Sequence, residues 1–84
     1  MNNPALQVRI LSPKQLILDT QALSVSSKNS QGPFDILPFH ANFITVIENE
    51  PIIIGKQSKE NVSFRFPIAI IFVSSNRVNI YTYD

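Results

Sequence analysis

The reactive side chains of this chain are few, and they bound the chemistry available to it. His40 is the only histidine and there is no cysteine, which removes the usual zinc ligand sets and every thiolate nucleophile. Paired with Asp35, His40 could form an acid–base couple in which the carboxylate orients the imidazole, but the reading we adopt is a neutral histidine capping a turn. Glu48 and Glu50 stand two apart, on one face of a strand, a spacing that suits a proton-sharing carboxylate pair and equally two solvated turn charges. We take them as turn charges. Serines are numerous, yet none stands in G-x-S-x-G, and no G-x-x-x-x-G-K cradles a phosphate. The expectation is a protein that works by binding, without catalytic residues, cofactor or metal.

The bulk properties exclude further classes. With 84 residues the chain makes one domain, residues 1–84, and a chain this short buries only roughly 60–65% of its unfolded surface. Its hydrophobic content of 44% against 15% charged residues is too apolar for disorder. Seven basic and six acidic residues leave a net charge of +1, little of the field that non-specific nucleic-acid binding requires. Polyanions are therefore unexpected partners. Nor is there a thiol for disulfides, which suits a reducing compartment. The opening M-N-N-P-A-L-Q shows neither a basic n-region nor an apolar h-region, so a cytoplasmic location is expected. The longest apolar run, Ile68 to Val73, is far short of the ~20 residues of a membrane-spanning helix, and any membrane link should be indirect.

The elements that must position these residues alternate in twos. Leu6, Val8 and Ile10 face one way and Gln7 and Arg9 the other, until Ser12-Pro13-Lys14 turns the chain. Gln15 to Asp19 reads as a second strand. In Ala22 to Ser27, Leu23 and Val25 are expected inward. Phe43 to Ile47 is a strand, and Ile52-Ile53-Ile54 is β-branched on both faces, as for a strand covered on both sides. Gly55 suggests a bulge, and Gln57 to Asn61 a polar turn. Val62, Phe64 and Phe66 then alternate with polar residues, Ile68 to Val73 is expected as the central strand, and Ser74-Ser75-Asn76 turns it into Arg77 to Tyr83. About nine short strands without a helix make an all-β sandwich or barrel.

Between these strands lies G-P-F-D-I-L-P-F-H-A-N-F-I-T, Gly32 to Thr45. Gly32-Pro33 is a turn signal and Pro38 breaks the run Phe34 to Leu37, so the stretch reads as a corner displaying Phe39, His40 and Phe43. Phe39 is either folded into a thin core or an exposed aromatic anchor for a partner, and periodicity does not decide between them.

The same stretch resembles the signature of the epsilon subunit of F-type ATP synthases, G-x-x-G-I-L-P-G-H-A-P-L-L-T, matching at Gly32, Ile36, Leu37, Pro38, His40, Ala41 and Thr45. L-Q-V-R-I-L-S-P-K-Q-L-I-L-D is similar to the family's first two strands, and R-V-N-I-Y-T-Y-D to the end of its sandwich domain. The resemblance implies a flattened sandwich of two antiparallel sheets, nine to ten strands in all. It implies a non-catalytic central-stalk subunit that docks on the gamma subunit and on the membrane-embedded c-ring, coupling proton flow to rotation, as a peripheral subunit on the cytoplasmic face of the membrane. Ser12 and His40 match positions that face gamma in the family, and Gln31-Gly32-Pro33 matches the loop nearest the ring. Phe39, and Asp35 before it, stand where the family has glycines, which implies strain or a different local backbone there. Pro33 replaces a residue that is often acidic, so a ring contact would be less charged here. The two-helix hairpin that follows the sandwich in typical bacterial members is not matched, and its roles are not carried over.

Two other classes fit the residues. One is a freestanding β-sandwich adaptor using the same corner. The other is a small single-strand-binding barrel with Phe64, Phe66, Tyr81 and Tyr83 as stacking platforms, which the weak basic charge disfavours.

Overall fold

The computed structural model of the chain describes residues 5–56 and 60–83. Nine strands run in order: β1 Leu6–Leu11, β2 Leu16–Ala22, β3 Ser24–Asn29, β4 Gly32–Ile36, β5 Phe43–Ile47, β6 Pro51–Gly55, β7 Val62–Arg65, β8 Ala69–Ser74 and β9 Arg77–Thr82. They form a five-stranded sheet, β2-β1-β9-β8-β5, and a four-stranded sheet, β4-β3-β6-β7. The all-β sandwich expected from the alternation is what forms, with one addition. β1 and β9 pair in parallel, Gln7 beside Arg77 through Leu11 beside Tyr81, so the larger sheet is mixed and not wholly antiparallel. Period-two patterning is identical for either strand direction, which is why the sequence could not show this.

The core lies between the sheets and is almost entirely aliphatic. Leu6, Val8 and Ile10 of β1, Ile71 and Val73 of β8 and Val78 and Ile80 of β9 face Val25, Ile36, Ile52 and Ile54 across the layer, each essentially without solvent exposure. Phe34, Phe43, Val62, Phe64 and Phe66 pack partly buried around this centre. The polar groups drawn inward are paired. Ser27 Oγ donates to the Pro51 carbonyl at 2.8 Å and Thr82 Oγ1 to that of Ile68 at 3.2 Å.

Several local expectations change. Leu23 lies in the bend between β2 and β3 and is exposed, because crossing from one sheet to the other resets the alternation, and Ala22 takes the inward place. Ile53 is exposed while Ile52 and Ile54 are buried, so β6 is covered on one face only. β9 holds the middle of the larger sheet and β8 lies beside its edge. Gly55 continues β6 in register opposite Ser24, and the irregularity sits instead at Ile10/Leu11. A Cβ on Gly55 would crowd the Ser24 hydroxyl, the rotatable end of a side chain, and would meet the Ser24 Cβ and carbonyl at ordinary contact distance. The turn expected over Gln57 to Asn61 falls largely outside the described residues.

Candidate docking surface

The corner is a β-turn over Leu37-Pro38-Phe39-His40, closed by the His40 N–H donating to the Leu37 carbonyl at 3.1 Å. Pro38 holds its φ near −65° at the second position, and Phe39 at the third has φ 67°. This is the type II pattern, whose third position ordinarily takes glycine because a Cβ is strained there, by roughly 1–2 kcal/mol. The strain implied by Phe39 standing at a glycine position is therefore present. Asp35, at the other glycine position, has no such φ. It lies within β4 and accepts the Ser26 hydroxyl at 2.5 Å.

Phe39 is 77% exposed, which decides its case: it projects into solvent and not into the core. What holds it in that conformation is Asn76. The Phe39 N–H donates to Asn76 Oδ1 at 2.6 Å, and the Asn76 carbonyl accepts the Gln7 N–H at 2.9 Å. Asn76 and Ser75 make the two-residue turn between β8 and β9, both at positive φ (61° and 52°), the I′ geometry that asparagine tolerates. One asparagine thus joins the corner, β1 and the β8–β9 hairpin. Sequence reasoning placed it in a turn but missed this role. The available signal was an asparagine in a two-residue loop; its reach to the corner is a tertiary fact.

His40 is set beside Phe39 but fastened from beneath. Its Nδ1 lies 2.7 Å from the Ala41 carbonyl, and since a carbonyl only accepts, Nδ1 carries the proton in that bond. The ring packs edge-on against Phe43 at 5.6 Å, and Phe43 against Phe34 at 5.4 Å. With Asp35 taken by Ser26 and His40 by the main chain, the two do not form the acid–base couple.

The remaining site residues lie elsewhere. Ser12 is at the β1–β2 tip, where its Oγ accepts the N–H groups of Lys14 (3.3 Å) and Gln15 (3.2 Å). That tip follows Leu11, paired with Tyr81, whereas Asn76 and the corner sit by Gln7 and Arg77, so about 13 Å of strand separates them. Ser30 and Gln31 form the β3–β4 tip and Gly32 begins β4, with the Gln31 N–H on Asn29 Oδ1 at 2.9 Å and Gly32 at φ 121°. Gly32 is a requirement of backbone conformation, because nothing lies within 4 Å of where its Cβ would be. Pro33 is the second residue of β4, opposite Lys28, instead of belonging to the turn, and β4 is an edge, where a missing N–H is tolerated. The whole of β4 lies between this tip and the corner. Phe39 and His40 are thus together, and Ser12 and Gln31-Gly32-Pro33 are each apart from them.

Charges are sparse. Among the described residues the one ion pair is Arg9–Asp19, 3.7 Å and largely exposed, and there is no cluster suited to a metal ion.

A strained, outward aromatic at a glycine position, on a corner built by I-L-P-F-H-A, is the arrangement to compare with known proteins. The model of the ATP synthase delta/epsilon chain beta-sandwich domain matches residues 5–84. The chain belongs to this family. Its likeness to curated epsilon chains is consistent: it is 32% identical over 73 residues to the ATP synthase epsilon chain of Sulfurimonas denitrificans, covering 87% of this chain and 56% of that one. To epsilon chain 2 of Paraburkholderia xenovorans it is 33% identical over 61 residues, covering 71% and 42% respectively. The chain thus spans about half the length of the epsilon chains it matches. Among solved structures, the sandwich superposes on a chain of the Euglena gracilis mitochondrial ATP synthase (OSCP/F1/c-ring, rotational state 1) with TM-score 0.85 at 12% identity, covering 96% of this chain and 53% of that one. It does so on a chain of the Tetrahymena thermophila mitochondrial ATP synthase central stalk and c-ring with TM-score 0.78 at 18% identity, covering 94% and 63%. At such identities these two likenesses show the sandwich fold alone.

Proposed function

We propose that this domain is the sandwich of a non-catalytic rotor subunit in the central stalk of a proton-translocating F-type ATP synthase, docking on the gamma subunit and on the c-ring. Membership of the delta/epsilon family supplies the class. The observation that carries the docking is Phe39, an aromatic side chain held outward in a backbone conformation that costs folding energy. Strain of this kind persists where the surroundings enforce it, and it concentrates at functional positions. Large exposed aromatics are also the residues most often found as interface anchors.

The separation of the site residues suits two contacts. Phe39 and His40 at one end of β4 face gamma, and the Gln31-Gly32-Pro33 tip at the other end meets the c-ring. Ser12 holds the β1–β2 tip together, and any contact it makes with gamma is separate from the corner. Membrane association is then indirect, through the ring, and peripheral.

Co-expression with the gamma subunit of the same assembly tests the reading. A stable complex is expected, and Phe39→Ala with His40→Ala should weaken it by about 2 kcal/mol or more, roughly thirtyfold. Failure of the unsubstituted domain to associate with gamma would overturn the proposal.

A further inference from the structure

Three of the four edge strands carry a device that discourages another strand from pairing. β2 bears Asp19, held by Arg9, with a register shift near its start. β4 bears Pro33, and β7 is four residues long with Arg65 at its end. Such features are how sheets blunt their edges. β5 has none of them: F-I-T-V-I is uncharged, contains no proline or glycine, and runs in unbroken register with β8. Its outward side chains Ile44 and Val46 are 64% and 47% exposed, and they adjoin Phe72 and Ile70 of β8, also exposed.

Beside this edge lies a groove of about 470 Å³, with Lys28, Asn29 and Ser30 on one side, Ile44 to Val46 on the other, and Glu48 and Glu50 beyond the end of β5. Asn29 Nδ2 donates to Thr45 Oγ1 at 2.9 Å across it.

We propose that β5 is a strand-addition site: an extended segment of the gamma subunit pairs antiparallel with Phe43–Ile47 and becomes a sixth strand of the larger sheet. Main-chain bonds would supply the affinity and the Ile44/Val46 shelf the selection for apolar side chains, as in other β-augmentation. Two carboxylates against the single Lys28 make the groove acidic on balance, so the segment is uncharged along β5 and carries Lys or Arg where it reaches Glu48 and Glu50. β5 leads directly out of the corner, and Phe43 already touches His40, so one partner engages both. The inference rests on the docking reading above.

Hydrogen exchange on the free domain and on its complex with gamma tests it. In an antiparallel pair alternate N–H groups of β5 point away from β8, and these should exchange freely in the free domain and slow at least tenfold in the complex. Ile44→Lys with Val46→Lys should weaken the complex at least tenfold, while Ile53→Lys on the other sheet leaves it unchanged. A complex that forms without slowing those amides overturns strand addition and leaves docking intact. Absence of any complex overturns both. Slow β5 amides in the free domain together with a dimeric mass would make a second copy the occupant and also overturn it.

Discussion

The Phe39 main-chain N–H and the Asn76 side-chain Oδ1 are joined at 2.6 Å across 37 residues of chain. A side chain from one hairpin thereby fixes the backbone of a strained turn in another segment. Asn76 serves two ends, its own positive φ and the bond to the corner, and these separate by substitution. Asn76→Ala should destabilise the domain by about 2 kcal/mol, combining a strained non-glycine φ with a lost hydrogen bond. Asn76→Gly relieves the φ and loses only the bond, so it should cost less than about 1 kcal/mol. Urea unfolding of both variants measures the difference, and equal costs would contradict the assignment.

Phe39 offers the complementary test. Because its ring is exposed, Phe39→Ala should change stability by no more than about 0.5 kcal/mol, in contrast to the ~3–5 kcal/mol of a buried phenylalanine. Phe39→Gly removes the strained Cβ and should raise stability by about 1 kcal/mol. Thermal unfolding would show a higher midpoint for the glycine variant than for the wild type, and a lower one would mean that the turn is not strained.

Ser12 accepts two main-chain N–H groups at its tip, so Ser12→Ala should cost about 1 kcal/mol, as loss of a capping hydroxyl does elsewhere. Ser12→Asp retains an acceptor and should recover most of that. If Ser12 serves only a partner, neither substitution would move the denaturation midpoint.

Gly55 and Ser24 should be coupled. Gly55→Ala places a Cβ against the Ser24 hydroxyl, a side-chain end that can turn aside, so the expected cost is about 1 kcal/mol, the low end of overpacking. Adding Ser24→Ala should restore most of the loss, giving an interaction energy of about 1 kcal/mol in a double-mutant cycle. Strict additivity would show that the contact is not the source of the cost.

The sequence by itself determined the strands and the corner, because each is written locally. Alternation at Leu6-Val8-Ile10 or Ile71-Val73 reports a half-buried strand whatever it pairs with, and Gly32, Pro33 and Pro38 act through their own φ. That Phe39 stands where relatives have glycine left strain or a changed backbone as the alternatives, and its φ of 67° decides for strain. The tertiary structure decided what depends on residues far apart in the chain. Whether Phe39 points in or out follows from where Asn76 sits. The parallel pairing of β1 with β9 makes β9, not β8, the middle strand, and Ile53 is exposed because nothing covers the outer face of β6. Ser12 and His40 read from the sequence as facing one partner together, but about 13 Å of strand carries Ser12 away from the corner. Side-chain period and turn chemistry are properties of neighbours in sequence; strand order, sheet edges and the shape of a surface arise only when distant segments pack.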